Sequence, residues 1–246
     1  MSKFTNQTVI VTGGTRGIGR GISESFLKEG ATVIATYARN DEAAMNFKEN
    51  MSLYGDKLIL KKFDVSSMLA CENFFNEIEK EISSIEILVN NSGIRQDNLT
   101  ASMSEDQWDK VLDINLKGSF NMSQKAVLHM MKNRYGRIVN ISSIGGALGL
   151  AGQANYAASK AGQIALSKVL SKEVAKRKIT VNNVAPGFIE TELISDLDEA
   201  QVTEYKKTIP MKRFGSIDEV ANVVKFLASK EASYITGSTI EVSGGL

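Results

Sequence analysis

The chain has 246 residues, 43% of them hydrophobic, with 29 basic and 28 acidic side chains and a formal net charge of +1. That balance gives no electrostatic reason to expect nucleic acid or an anionic membrane as the main partner, and a single cysteine, Cys71, excludes both an internal disulfide and a C-x-x-C metal site. No apolar run approaches the roughly 20 residues that span a bilayer, and Met1-Ser2-Lys3-Phe4-Thr5-Asn6 leads into a strand pattern without a leader's apolar stretch, so a cytoplasmic protein is expected.

In chain order, short β-branched runs alternate with longer amphipathic ones. Residues 8–11 read as a strand, 18–29 as a helix closed by Gly30, and 32–36 as a second strand followed by a polar helix through the forties. A third strand is expected over 57–63, then a helix over 68–82 with Phe74, Phe75, Ile78 and Ile82 on one stripe. Strands at 85–89 and 137–141 each precede a long helix, one over about 105–134 with a break near Asn115, the other over 154–176. Residues 179–184 and 239–242 complete a set of seven strands. The early strands are near-continuous apolar runs, as strands covered on both faces should be. With two prolines and no Gly/Ser or charged linker, residues 1–246 are expected to form one α/β domain, a Rossmann-type, doubly wound, seven-stranded parallel sheet flanked by helices.

Two motifs carry chemistry. Thr12-Gly13-Gly14-Thr15-Arg16-Gly17-Ile18-Gly19 follows the first strand and opens the first helix. Glycines there let the backbone turn tightly against a pyrophosphate, whose charge meets the helix N-terminus. The competing explanation is packing alone; the place after the first strand favours a dinucleotide. The second strand ends Thr36-Tyr37-Ala38-Arg39, with no acid before Asp41. Arg39 and Arg16 therefore favour a 2′-phosphate, hence NADP(H), unless Arg39 is simply a solvated loop residue.

The second motif is Ser142-Ser143 at the end of the fifth strand, with Tyr156 and Lys160 one helical turn apart in the next helix. Reduction of a carbonyl needs a proton on its oxygen, and an ammonium beside a phenol is expected to depress the phenol's pKa for that task. A serine hydroxyl donates to the oxygen as charge develops. Tyr-x-x-x-Lys alone is a common chance pair; its place after a strand-ending serine, at the ligand-binding edge of an open sheet, is what raises it.

Together, Thr12-Gly13-x-x-x-Gly17-x-Gly19, Asn90-Asn91-Ser92-Gly93, Ser143, Tyr156-x-x-x-Lys160 and Pro186-Gly187 resemble the short-chain dehydrogenase/reductase family along essentially the whole chain. The resemblance implies Tyr156 as general acid, Lys160 as its partner and a holder of the nicotinamide ribose, and Ser143 as substrate orienter. It also implies Asn115, in Asp113-Ile114-Asn115-Leu116, as the carrier of a water linking Lys160 to solvent. Cofactor contacts are implied for Gly13, Thr15, Arg16, Gly17, Ile18 and Gly19, for Thr36 and Arg39, and for Asp64 and Val65 beside the adenine. Asn91 and Gly93 would follow at the adenosine ribose, then Tyr156 and Lys160, and Pro186, Gly187, Ile189 and Thr191 beside the nicotinamide. Ser92 stands where the family usually has alanine.

Gly152-Gln153-Ala154-Asn155-Tyr156, the stretch 185–191, Ile209-Pro210-Met211-Lys212-Arg213-Phe214-Gly215 and Tyr234-Ile235-Thr236-Gly237 narrow the resemblance. They are similar to the branch that reduces 3-oxoacyl groups on acyl carrier protein in fatty-acid elongation. That branch implies a homotetramer, and carrier docking by Arg134 and Arg177, with Lys132, Arg137, Lys176 and Lys178 crowding the same segments. The same cations also suit helix C-termini without any partner. Alternatives are a related reductase of acyl-CoA or another ketone, and a non-catalytic dinucleotide sensor. Residues 191–207 are expected to form the substrate lid. His129, Cys71 and Trp108 are expected to be structural, and Asp97, Asp106 and Asp109 helix-start or solvated carboxylates, with no metal site.

Overall fold

The computed structural model describes residues 2–191 and 198–246. The apolar runs form β1 (Thr8–Val11), β2 (Thr32–Tyr37), β3 (Leu58–Lys62), β4 (Ile87–Asn90), β5 (Gly136–Ile141), β6 (Ile179–Pro186) and β7 (Thr239–Val242). They lie in one sheet of order β3-β2-β1-β4-β5-β6-β7, every pair parallel. β6 runs two residues past its expected end because Ala185 and Pro186 still pair with Glu241 and Val242 of β7. All residues of β1, β4, β5 and β6 are buried, as a sheet covered on both faces requires.

One face carries α1 (Gly17–Lys28) and α9 (Ile217–Ala228), whose Ile22, Phe26, Val220, Val224 and Leu227 pack on Val9, Val11 and Val33. The opposite face carries α3 (Met68–Glu81), α5 (Gly118–Asn133) and the end of α7 (Ala154–Val174), through Phe74, Phe75, Met122, Met130 and Val174. Between them run α2 (Asp41–Asn50), α4 (Glu105–Leu112), the short α6 (Gly145–Leu148) and α8 (Glu199–Thr208). Of the expected lid, residues 192–197 lie outside the described residues, and α8 forms its second half.

The expected break near Asn115 takes a specific form. α4 and α5 stay joined through a wider, π-type turn over Asp113–Lys117, with helical backbone on both sides. Such a turn takes carbonyls out of the ordinary i to i−4 ladder and is a recurrent feature of functional sites.

The chain reverses its winding between β1 and β4, and ligands of open α/β sheets bind beyond the strands' carboxyl ends at that point. The loops after β1 and β4 flank this crevice. Those after β5 and β6 lie beside it.

Candidate active site

The glycine turn is built to hold an anion. Gly13 has φ +61, in the left-handed region that favours glycine. At Gly19 a side chain would run into the Gly13 carbonyl and the Asn91 amide. Asn91 clamps the turn from β4: its Nδ2 donates to the carbonyls of Thr12 and Gly13 at 3.0 Å each, while Thr12 Oγ1 accepts from the Asn91 and Ser92 backbone N–H groups at 2.9 Å. Asn91 thus spends both amide donors on the protein, a role its expected ribose contact did not anticipate.

Most surface helices here satisfy their first N–H groups with a side chain: Asn40 caps α2, Ser67 α3, Ser104 α4, Asp198 α8 and Ser216 α9. α1 has no side-chain cap and no acid in its first turn. Its N-terminal N–H groups face the crevice, which suits a phosphate.

Thr15 and Thr36 are buried beside the turn, and the Thr36 carbonyl accepts from Gly14 N at 3.0 Å. Ile18 is half-buried and packs against the core beneath it. Arg16 and Arg39 are exposed and form no salt bridge among the described residues. Asp41, the first acid after β2, is bound to Lys62 at 2.6 Å. Asp64 folds back on Ser66, accepting from its N–H at 2.9 Å and its hydroxyl at 2.8 Å, with Val65 buried beside it. Gly187 N donates to the Val242 carbonyl, Ile189 bridges Gly215, and Thr191 is half-buried at the edge of the described segment.

The residues expected to handle protons converge at the ends of β4 and β5 and the start of α7. The Ser143 hydroxyl accepts from Gly145 N at 3.0 Å, which aims it into the crevice. Lys160 is buried, its Nζ 5.6 Å from the Tyr156 ring centroid, and donates to the Ile141 carbonyl at 2.7 Å. A Cβ placed on Gly93 would lie 3.3 Å from Asn115 Oδ1 and 3.5 Å from Lys160 Nζ, so these two groups share one spot under the loop after β4.

The phenol's pKa departs from expectation. Burial pushes Tyr156 up; the Ser143 hydroxyl and the Arg95 guanidinium pull it back, and Asp97 adds to the rise. Burial also lowers the Lys160 ammonium to about 8. The physical reason is that desolvation of the phenol outweighs the Ser143 hydrogen bond and the Arg95 charge, and the Lys160 ammonium is itself desolvated. Tyr156 therefore holds its proton, the state a donor needs.

Asn115 is fully engaged. Its Oδ1 accepts from Ile94 N at 2.8 Å; its Nδ2 donates to the Ile94 carbonyl and to Ser159 Oγ, each at 3.0 Å. Its own carbonyl, displaced by the π-type turn, accepts from Gln163 Nε2 at 3.0 Å and Ser119 Oγ at 2.7 Å. The sequence reading missed Gln163, Ser119 and Ser159. Gln163 and Lys160 sit three residues apart on α7, and a polar side chain on a helix's buried face is the signal that would have found it.

Asp97 is exposed, as expected of a solvated carboxylate, and it also pairs with Arg95 and accepts from Gln153 Nε2 at 3.1 Å at the rim of the site. One further expectation is corrected. Arg137 is 3% exposed and belongs to no surface patch, because it donates to the carbonyls of Ser229, Gly136 and Lys178 and lies over the Tyr135 ring. Trp108 is 40% exposed on α4, outside the core. Arg134 does meet the end of α7, its Nη2 3.4 Å from the Lys176 carbonyl, next to Arg177 and Lys178. His129 stacks on Phe75 and contacts Glu79, and Cys71 is buried.

A family profile described as enoyl-(acyl carrier protein) reductase matches residues 13–246, and the chain belongs to the short-chain dehydrogenase/reductase family. Among its relatives, the 3-oxoacyl-(acyl-carrier-protein) reductase of Aquifex aeolicus is 46% identical and that of Salmonella typhimurium 45%, each over 99% of this chain and 98% of the relative. The enzyme of the same name from Escherichia coli is 44% identical over the same shares.

Proposed function

We propose that this chain, as one catalytic domain over residues 1–246, reduces 3-oxoacyl groups carried on acyl carrier protein to 3-hydroxyacyl groups in fatty-acid elongation, with NADPH as reductant. The profile's description and the relatives' names differ in the bond reduced, a C=C in one and a ketone in the other. The relatives decide, because their identity extends over 99% of the chain. The single observation that carries the chemistry is Ser143, Tyr156 and buried Lys160 gathered at the carboxyl ends of β4 and β5.

The dinucleotide, when bound, supplies the hydride to the ketone carbon. The glycine turn and the open start of α1 would hold its pyrophosphate, and Lys160 and the loop after β6 would lie on its nicotinamide side. Ser143 donates to the ketone oxygen as negative charge develops, and Tyr156 delivers the proton that makes the alcohol. Lys160 stabilises the phenolate left behind. With both amide donors and both carbonyl oxygens of Asn115 bonded within the protein, Asn115 fixes the floor beneath Lys160, and the second lone pair of Oδ1 is the one left for a water.

NADPH over NADH is supported by Arg16 and Arg39 and by the pairing of Asp41 with Lys62, which neutralises the nearest carboxylate. A homotetramer is supported by apolar side chains left outward on α5 and α7, Phe120 at 43% and Val169 at 56% exposed, beside half-buried Leu116, Ile164 and Leu166. No helix among the described residues is long and apolar enough to cross a membrane, in keeping with a cytoplasmic setting. Following NADPH absorbance with acetoacetyl-acyl carrier protein tests the whole reading. Rapid turnover that NADH does not support, and that Tyr156→Phe abolishes while cofactor binding persists, is the expected result. Turnover of no 3-oxoacyl thioester would move the substrate to another carbonyl class.

A further inference from the structure

The loop after β4 places a cation where proton transfer to a ketone does not require one. Arg95 hangs over Tyr156, its guanidinium carbon 5.9 Å from the ring centroid. Asp97 holds it there, accepting from Nε at 3.3 Å and pairing with Nη2. Asp97 is fixed from the other side by Gln153 Nε2, and Gln153 is 7% exposed at the start of α7. The guanidinium is thus clamped along one edge. Among the described residues its Nη1 has no hydrogen-bond partner, and the guanidinium is within electrostatic reach of both Tyr156 and Tyr205, whose ring lies 4.9 Å from that of Phe188.

Stability does not account for this arrangement. The Arg95 and Asp97 side chains are 50% and 37% exposed, and such pairs contribute about 0–1 kcal/mol. A carboxylate that spends itself orienting a planar fork of donors is instead what a directional binding site needs. A 3-oxoacyl thioester has a second carbonyl one carbon from the ketone. With the ketone oxygen between Ser143 and Tyr156, that second oxygen would lie beside the phenol that Arg95 overhangs, and a carbonyl that loses its water on binding needs a donor.

Resting on the 3-oxoacyl reading above, we infer that Arg95 is a specificity-determining residue: its Nη1 donates to the thioester carbonyl oxygen, so the site selects ketones with a second carbonyl in the 1,3 relation. Asp97 and Gln153 are positioning residues that aim the guanidinium. Removing Arg95 costs a charge-assisted hydrogen bond to the one substrate atom that distinguishes a 3-oxoacyl thioester from a plain ketone.

The test compares two ligands of one shape, acetoacetyl-N-acetylcysteamine and its analogue with CH2 in place of the thioester carbonyl. Affinities for both are measured by calorimetry on the cofactor-loaded chain carrying Tyr156→Phe, which stops turnover, with and without Arg95→Met. The expected result is that Arg95→Met weakens the thioester about 10- to 100-fold while the ratio of the two affinities collapses toward one, with Arg95→Lys intermediate. An equal loss on both ligands, or no loss, overturns the inference and leaves the reductase reading standing. If the unsubstituted enzyme does not reduce the thioester at all, the reductase reading falls, and the inference with it.

Discussion

Lys160 is a buried cation with one protein hydrogen bond, to the Ile141 carbonyl. Burial brings its ammonium from 10.5 to about 8. Between those values the unfolded chain binds more protons than the folded one, so the cost of burying the cation is full below about pH 8. It fades as pH rises toward 10.5, and stability rises with pH across that window. Lys160→Met removes the cation but leaves the Ile141 carbonyl without its donor, which offsets part of the gain. The expected net effect is a chain more stable by about 1–2 kcal/mol at pH 7, with turnover abolished and the gain gone above pH 10.5. Thermal melts at pH 7 and pH 10.5 check it; a lower melting temperature at pH 7 would show that the lysine stabilises the fold it sits in. Cys71 gives a second residue-scale outcome. Burial pushes its thiol up to about 12, with Asp64 adding to the rise. A thiol reagent at pH 8 is therefore expected to label it only after denaturation; rapid labelling of the native chain would contradict its burial.

At the scale of elements, α7 inverts the usual pattern. Its buried residues are Asn155, Ser159, Lys160, Gln163, Ser167 and Ser171, with Val174 alone apolar. They continue into a polar seam through the sheet: Asn90 Nδ2 donates to Asn140 Oδ1 at 2.7 Å, Asn140 Nδ2 to Ser167 Oγ at 2.7 Å, and Ser167 Oγ to Asn183 Oδ1 at 2.7 Å. Asn90 Oδ1 has no partner, but the bonds from Asn90 Nδ2 through Asn140 and Ser167 to Asn183 are each shared by two buried groups, so cutting the seam once strands a buried group and cutting it twice strands fewer. Asn140→Ala and Ser167→Ala are each expected to cost about 1–3 kcal/mol, and the double variant less than their sum by about 1 kcal/mol. Urea unfolding of the three variants measures the coupling, and strict additivity would mean the seam does not act as a unit. The same inversion explains what could be read in advance. β1, β4 and β5 were legible because β-branched apolar runs have few other fates, and Ser143, Tyr156 and Lys160 because the family motif marks them. Gln163, Ser159 and Ser119 were not, since a periodicity of apolar side chains is silent about a helix that buries its polar face. Arg137 misled for a related reason: a cation in sequence beside Arg134 reads as surface, and only the three carbonyls it meets in space bury it.

For the whole molecule, the docking reading raises a question of distance. Tyr156 opens α7 and Arg177 follows its end; at about 1.5 Å per residue the stretch from Tyr156 to Val174 is roughly 27 Å long. Arg134 and Arg177 therefore mark the edge of the sheet opposite the crevice. A long flexible acyl tether is therefore needed between a carrier held there and Tyr156 on the same chain. Net charge of +1 supplies no global attraction, so steering depends on this local cluster and weakens with salt. Arg134→Glu combined with Arg177→Glu is expected to raise KM for acetoacetyl-acyl carrier protein about tenfold or more at low ionic strength. KM for acetoacetyl-N-acetylcysteamine should stay within about twofold, because that ligand touches only the crevice. The gap should narrow as salt is raised, and the subunit count should be checked beside it, since Val169 lies about 12 Å from Arg177 along the α7 axis. Equal effects on both substrates would place the damage in the fold and remove the docking surface. An unchanged KM for the carrier would send the search for its contact to the rim around Arg95 and α8.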